Sequence, residues 1–92
     1  MTLRKILDRL PREARDLLLE GLLKTVLKSK NAEAVDQAYV RRFLSIAREG
    51  LLESSEGLEV LLYMALAMEK EKTLSLLSEK PAFKEIYGIL SG

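Results

Sequence analysis

Ninety-two residues leave room for one domain, because two hydrophobic cores would put each half below the size that usually folds alone. Apolar residues make up 48% of the chain and charged ones 32%, with five Gly, two Pro and a net charge of +1, which excludes the disordered and the loop-rich disulfide classes. The chain has no Cys, His or Trp, so thiolate chemistry, imidazole acid–base work, the common zinc ligands and most enzyme classes are removed together.

Abundant Leu, Ala, Glu, Lys and Arg, with few β-branched residues, favour helix over strand. Thr2 is a suitable N-cap, and Leu3, Ile6, Leu7 and Leu10 follow at spacings of three and four, which predicts a first helix over about residues 3–9. Pro11 disfavours a helical Leu10 and suits a first helical position, so a second helix is expected from Pro11 to Lys28. Glu13 in its first turn and Lys24 and Lys28 in its last complement the helix dipole. Its apolar positions, Ala14 and Leu17 through Leu27, exceed one narrow stripe, predicting burial on more than one side. Gly21 costs about 1 kcal/mol relative to Ala there, which suggests that another helix approaches closely.

Ser29-Lys30-Asn31 breaks the pattern, and both Asn31 and Asp36 are suitable caps for a third helix carrying Val35, Tyr39, Phe43, Ile46 and Ala47 and ending near Glu53. A second break at Ser54 to Gly57 offers Ser55 as the cap of a fourth helix containing Leu58, Leu61, Leu62, Ala65, Leu66 and Met68. This helix is expected to continue through Glu69-Lys70-Glu71-Lys72 to Leu77. A last helix starts at Pro81 and uses Phe83, Ile86, Tyr87 and Leu90. The sequence therefore predicts a single all-α domain over residues 1–92, a bundle of four to five helices with the second and fourth at its core.

The apolar window Leu58 to Met68 is far short of the roughly 20 residues of a membrane span and reads as a buried helix. Asp8 and Arg9 interrupt the opening residues too early for a secretory signal, so a cytoplasmic protein is expected, with no membrane partner. Glu49, Glu53 and Glu56 share helical spacing, but no Glu-x-x-His pair, Gly-x-Ser-x-Gly elbow or Gly-rich phosphate loop accompanies them. No catalytic, cofactor-binding or metal residue is assigned, and a non-enzymatic protein without cofactors is expected. Tyr39, Tyr63 and Tyr87 read as core or interface residues, and Met64 and Met68 as core filling.

The net charge hides a division. Residues 1–48 carry eleven Lys/Arg against six Asp/Glu, whereas residues 49–92 carry four against eight. Such asymmetry fits a nucleic-acid surface, halves that pack on each other, or chains that pair with opposite halves in register. Lys24, Lys28 and Lys30 close the second helix and Arg41, Arg42 and Arg48 lie on the third, so their junction is the candidate contact surface for nucleic acid or a protein partner.

Leu7-Asp8-Arg9-Leu10-Pro11-Arg12-Glu13-Ala14-Arg15, a long helix, and then Ala34-Val35-Asp36-Gln37-Ala38-Tyr39-Val40 together resemble the small helical domain at the C-terminus of light-independent protochlorophyllide reductase B subunits, which also occurs free-standing. Pro11 at a helix start, Arg15 four residues on and the Val35-Asp36 cap carry the resemblance, which covers residues 7–48 and leaves 51–92 as a helical extension. It implies a helical accessory or interaction domain and transfers no catalytic residue.

So small a domain with this much Leu is expected to self-associate, as a homo-oligomer, through an apolar face built from Leu61, Phe83, Ile86 and Tyr87. The expected function is a non-enzymatic protein-interaction module; the alternative is a small nucleic-acid-binding protein using the basic half.

Overall fold

Local signals place most of the helix ends in the computed structural model, which describes residues 2–92. Six α-helices run in order: α1 (Leu3–Arg9), α2 (Arg12–Lys28), α3 (Gln37–Arg48), α4 (Ser55–Met68), α5 (Lys70–Ser78) and α6 (Lys84–Ser91). Single 3-10 turns at Ala32–Ala34 and Pro81–Phe83 precede α3 and α6, and the described residues contain no strand. The class is the all-α one predicted.

The Thr2 hydroxyl accepts a hydrogen bond from the Lys5 amide at 3.3 Å and opens α1. Leu10 is extended, as a residue before proline prefers. Pro11 is the N-cap of α2 rather than its first helical residue: its ψ of 157° is extended while its carbonyl accepts from the Arg15 amide at 3.0 Å. Between the two candidate caps of α3 the structure selects Asp36, whose carboxylate accepts from the Ala38 amide at 2.8 Å.

Two further boundaries fall elsewhere than predicted, besides the last helix, which is predicted from Pro81 but starts as α6 at Lys84 after the 3-10 turn. α3 stops at Arg48 rather than near Glu53 because Gly50 takes a left-handed φ of +72°. The Leu51 amide then bonds back to the Ile46 carbonyl at 3.1 Å and the Gly50 amide to the Ala47 carbonyl at 3.0 Å, the paired closure of a Schellman motif. The cap of α4 is Ser54, whose hydroxyl accepts from the Gly57 amide at 3.1 Å, and Ser55 is already helical. A Cβ on Gly57 would stand 2.6 Å from both the Leu51 and Leu52 carbonyl oxygens, so only glycine lets this loop close over the helix start.

The fourth predicted helix divides at Glu69, which raises the helix count to six. Glu69 leaves helical geometry at φ −144°, ψ 71°, and α5 restarts with the buried Thr73 hydroxyl donating to the Glu69 carbonyl at 2.8 Å. Nothing in Glu69-Lys70-Glu71-Lys72 breaks a helix locally; the cause is tertiary. The loop after α2 supplies Asn31, whose side-chain amide donates to the Met68 carbonyl at 3.1 Å, satisfying an acceptor that the interruption freed.

α1, α2, α3 and α5 all pack on α4. On one of its faces Leu58, Leu61, Leu62 and Ala65 meet Leu3, Ile6 and Leu7 of α1, Leu18 and Leu22 of α2, Leu77 of α5, and Phe83 and Ile86. At about 1.5–3 kcal/mol for each large apolar side chain removed from water, this layer is the main source of stability. On the other face Val60, Met64 and Met68 pack with Val35 and Ile46 in a smaller layer. α4 is the core helix expected, whereas α2 is not buried on several sides: it buries Ala14, Leu18 and Leu22 and exposes Leu17 and Leu27. The Leu76 side chain of α5 lies 2.8 Å from where a Cβ of Gly21 would stand, the close approach this glycine suggested.

Arg15 ties the closed side together. Its guanidinium donates to the Leu7 carbonyl at 2.7 Å, the Leu10 carbonyl at 3.3 Å, the Glu53 carbonyl at 3.0 Å and the Ser55 hydroxyl at 3.2 Å, joining the end of α1 to the start of α4. Among the described residues, no helix is long and apolar enough to cross a membrane.

Candidate protein-docking groove

The charge division of the sequence is partly consumed inside the molecule. Arg4 pairs with Glu59 at 2.9 Å, Arg9 with Glu85 at 3.3 Å, and Arg42 with Glu56, each joining the basic half to the acidic half. The Glu59 carboxylate, hydrogen-bonded to Arg4, raises the guanidinium pKa above its ordinary value. Lys24 is held by Glu20, one turn earlier in α2, at 3.1 Å. Of the six basic residues singled out in the sequence, Lys24 and Arg42 are therefore engaged. Lys28, Lys30, Arg41 and Arg48 are exposed, and their side chains make no hydrogen bond or ion pair among the described residues.

The face expected from Leu61, Phe83, Ile86 and Tyr87 is turned the other way. Leu61, Phe83 and Ile86 are fully buried in the chain's own core, and only Tyr87 reaches the surface. Periodicity identifies a face that must be covered but not what covers it; here α1, α2 and α5 take that place. Tyr39 and Tyr63 are likewise surface residues, their rings 6.1 Å apart and tilted by 48° across the α3–α4 contact. Met64 and Met68 are core residues, as expected.

The open apolar site lies on the smaller layer. The last turn of α2 (Val26, Leu27, Ser29), the 3-10 turn (Ala32, Val35), α3 (Val40, Phe43, Leu44) and α4 (Met64, Met68) enclose a groove of about 340 Å³. It stays open because α3 buries only Ile46 completely. Leu27, 78% exposed, and Leu44, 44% exposed, form its lips. Arg41, Leu44 and Arg48 recur at i, i+3 and i+7 of α3 and so share one face, while Lys28 and Lys30 are the chain neighbours of Ser29 on the opposite wall.

The wall at Ser29 is fixed from below. The Ser29 hydroxyl donates to Glu69 Oε2 at 2.7 Å, and the Asn31 side-chain amide donates to the same oxygen at 2.9 Å. These bonds, led by that from Ser29, hold the Glu69 carboxyl below its ordinary pKa against an opposing desolvation, with Lys72 at 3.9 Å adding to the effect. The groove is lined by apolar side chains and a single hydroxyl already committed to Glu69, an arrangement suited to holding an apolar surface. The two methionines give its floor adaptable, polarizable side chains.

A second cleft of about 490 Å³ beside the α5–α6 turn is lined by Leu77, Ser78, Glu79, Lys80, Pro81, Lys84 and Tyr87, a mixed set with no convergent chemistry. No group of acidic side chains able to hold a metal ion is present among the described residues. Sequence spacing names the basic residues but misses the groove. Its one available signal is Leu44, which falls outside the apolar spacing of its helix.

Compared with known proteins, the chain matches no family model, no curated protein and no solved structure.

Proposed function

We propose that this chain is a non-enzymatic protein-interaction module that docks a partner in the groove between the end of α2, α3 and α4. The observation that carries the reading is the open apolar concavity with Leu27 and Leu44 exposed at its lips, in a molecule whose other helices close over their own core. A preformed apolar concavity beside exposed large side chains is the surface that partners cover. The resemblance of residues 7–48 to a helical accessory domain points the same way.

A photo-crosslinking residue at position 44, with position 13 on the exposed start of α2 as control, tests the reading in cells of the source organism. Discrete protein adducts from position 44 that vanish on Leu27→Glu are expected; equal labelling from both positions, or none from 44, overturns it. Sedimentation of the purified chain then distinguishes a second copy from a different protein as the partner.

Nucleic-acid binding is the second reading, supported by the exposed and unpaired Lys28, Lys30, Arg41 and Arg48. It requires affinity that falls steeply with salt, and a salt slope lowered by up to about one unit for each phosphate that Arg41→Ala leaves unneutralised. No shift of duplex or single-stranded probes at about 50 mM salt by folded protein eliminates it.

A further inference from the structure

We infer that the occupant of the groove is an acidic amphipathic helix of another protein, an inference that rests on the docking reading above. The shape argument comes from α3. Its twelve residues make a wall about 18 Å long, some three helical turns. A helix lying along such a wall presents anchors at i, i+3 or i+4, and i+7 to an apolar trough. Met64 and Met68, one turn apart on the floor, can repack around different aliphatic anchors.

The charge argument selects the sign. Arg41 and Arg48 share the α3 face of Leu44, which lines the groove, and Lys28 and Lys30 adjoin the lining residues Leu27 and Ser29 in the chain. None of the four is neutralised by the chain itself, although Arg4, Arg9, Lys24 and Arg42 all are. The acidic groups nearby do not cancel them. Asp36 caps α3, Glu20 holds Lys24, and Glu69 is engaged beneath Ser29, leaving Glu33 on the 3-10 turn and Glu49 beside Arg48 against the four cations. An apolar trough adjoined by unpaired cations complements a helix that carries aliphatic anchors flanked by Asp or Glu. The same charges disfavour a second copy docked face to face, because a two-fold axis through the groove would set Arg41 and Arg48, or Lys28 and Lys30, against their own kind.

The probe is a displayed library of amphipathic helical peptides about four turns long, with Leu at the anchor positions and Glu, Gln or Lys varied at the positions beside them. Selection on the full chain is expected to enrich Glu over Lys on the order of tenfold at low salt, with the preference shrinking as salt rises. The double variant Arg41→Glu with Arg48→Glu should move the preference toward Lys, and Leu44→Glu should abolish retention while the thermal melt stays unchanged. Leu27→Glu on the opposite lip serves as an independent check on retention. Enrichment without charge preference, or toward Lys, overturns the acidic partner and leaves the docking reading standing. Failure of the wild-type chain to retain any peptide above Leu44→Glu overturns the acidic helix; the docking reading falls with it only if position 44 also gives no adducts.

Discussion

The two faces of α4 are finished differently. On one, Leu58, Leu61, Leu62 and Ala65 are wholly covered by α1, α2 and α5, with branched side chains interlocking from every direction. On the other, Val60, Met64 and Met68 lie under α3, which commits only Ile46 fully and leaves Val40 and Phe43 half-buried along a groove. The first arrangement maximises contact among closely packed Leu side chains; the second sets two flexible methionines beside an unfilled trough. One helix thus serves as the spine of a closed core and as the floor of an open surface, with stability concentrated on one side and adaptability on the other.

The contrast is sharpest in Leu61→Ala, which should lose about 2–5 kcal/mol in urea denaturation with an unchanged m-value. A loss below about 1 kcal/mol would mean that the closed face is packed no better than the open one. Arg15→Ala comes next: hydrogen bonds from a charged donor are worth about 1.5–3 kcal/mol, and four acceptors, two at the end of α1 and two at the start of α4, lose their partner at once. Arg15→Lys should rescue little, because an ammonium cannot reproduce the fork; full rescue would reduce Arg15 to a source of charge.

On the open side, Gly50→Ala should cost about 1–2 kcal/mol, since a Cβ is strained at φ +72°. Hydrogen exchange should then quicken at the end of α3 and leave α1 and α2 unaffected; uniform quickening would show that the two faces unfold together.

The smallest effect concerns acid. The folded state holds the Glu69 carboxyl below its ordinary pKa, so its contribution is complete above the ordinary carboxylate range. That contribution is lost as pH falls through that range toward the lowered value. Exchange of residues 29–35 should therefore quicken on the acid side in the native chain. In Glu69→Gln it should already be quick at neutral pH and change less with acid, and an identical acid response in both chains would remove Glu69 from the account.

How far the sequence discloses this molecule depends on how local each cause is. The span of α1, the Asp36 cap among its alternatives and the role of Gly21 follow from capping chemistry and spacing, which act within a few residues. Gly50 carries a readable signal that helical spacing through Glu53 overrides. The interruption at Glu69 has none, because the groups that draw it out, Ser29 and Asn31, lie some forty residues away. Leu61, Phe83 and Ile86 show the same limit from the other side: an apolar stripe records a need for cover, and one chain folding on itself can meet it. The basic candidates are legible as a set, but only the fold separates Lys24 and Arg42, each facing a carboxylate, from the four that face outward.

α1 packs against α4 and α6, and Arg9 reaches Glu85 near the far end of the sequence. Seven residues are too few to remain helical in isolation, since even good helix formers need roughly 12–15 in water. During synthesis α1 thus lacks its main surface until α4 has been made, and its contact with α6 until later still. Leu3, Ile6 and Leu7 stay uncovered until α4 follows them, and the closed face of α4 is sealed only once α5 and α6 join the same layer.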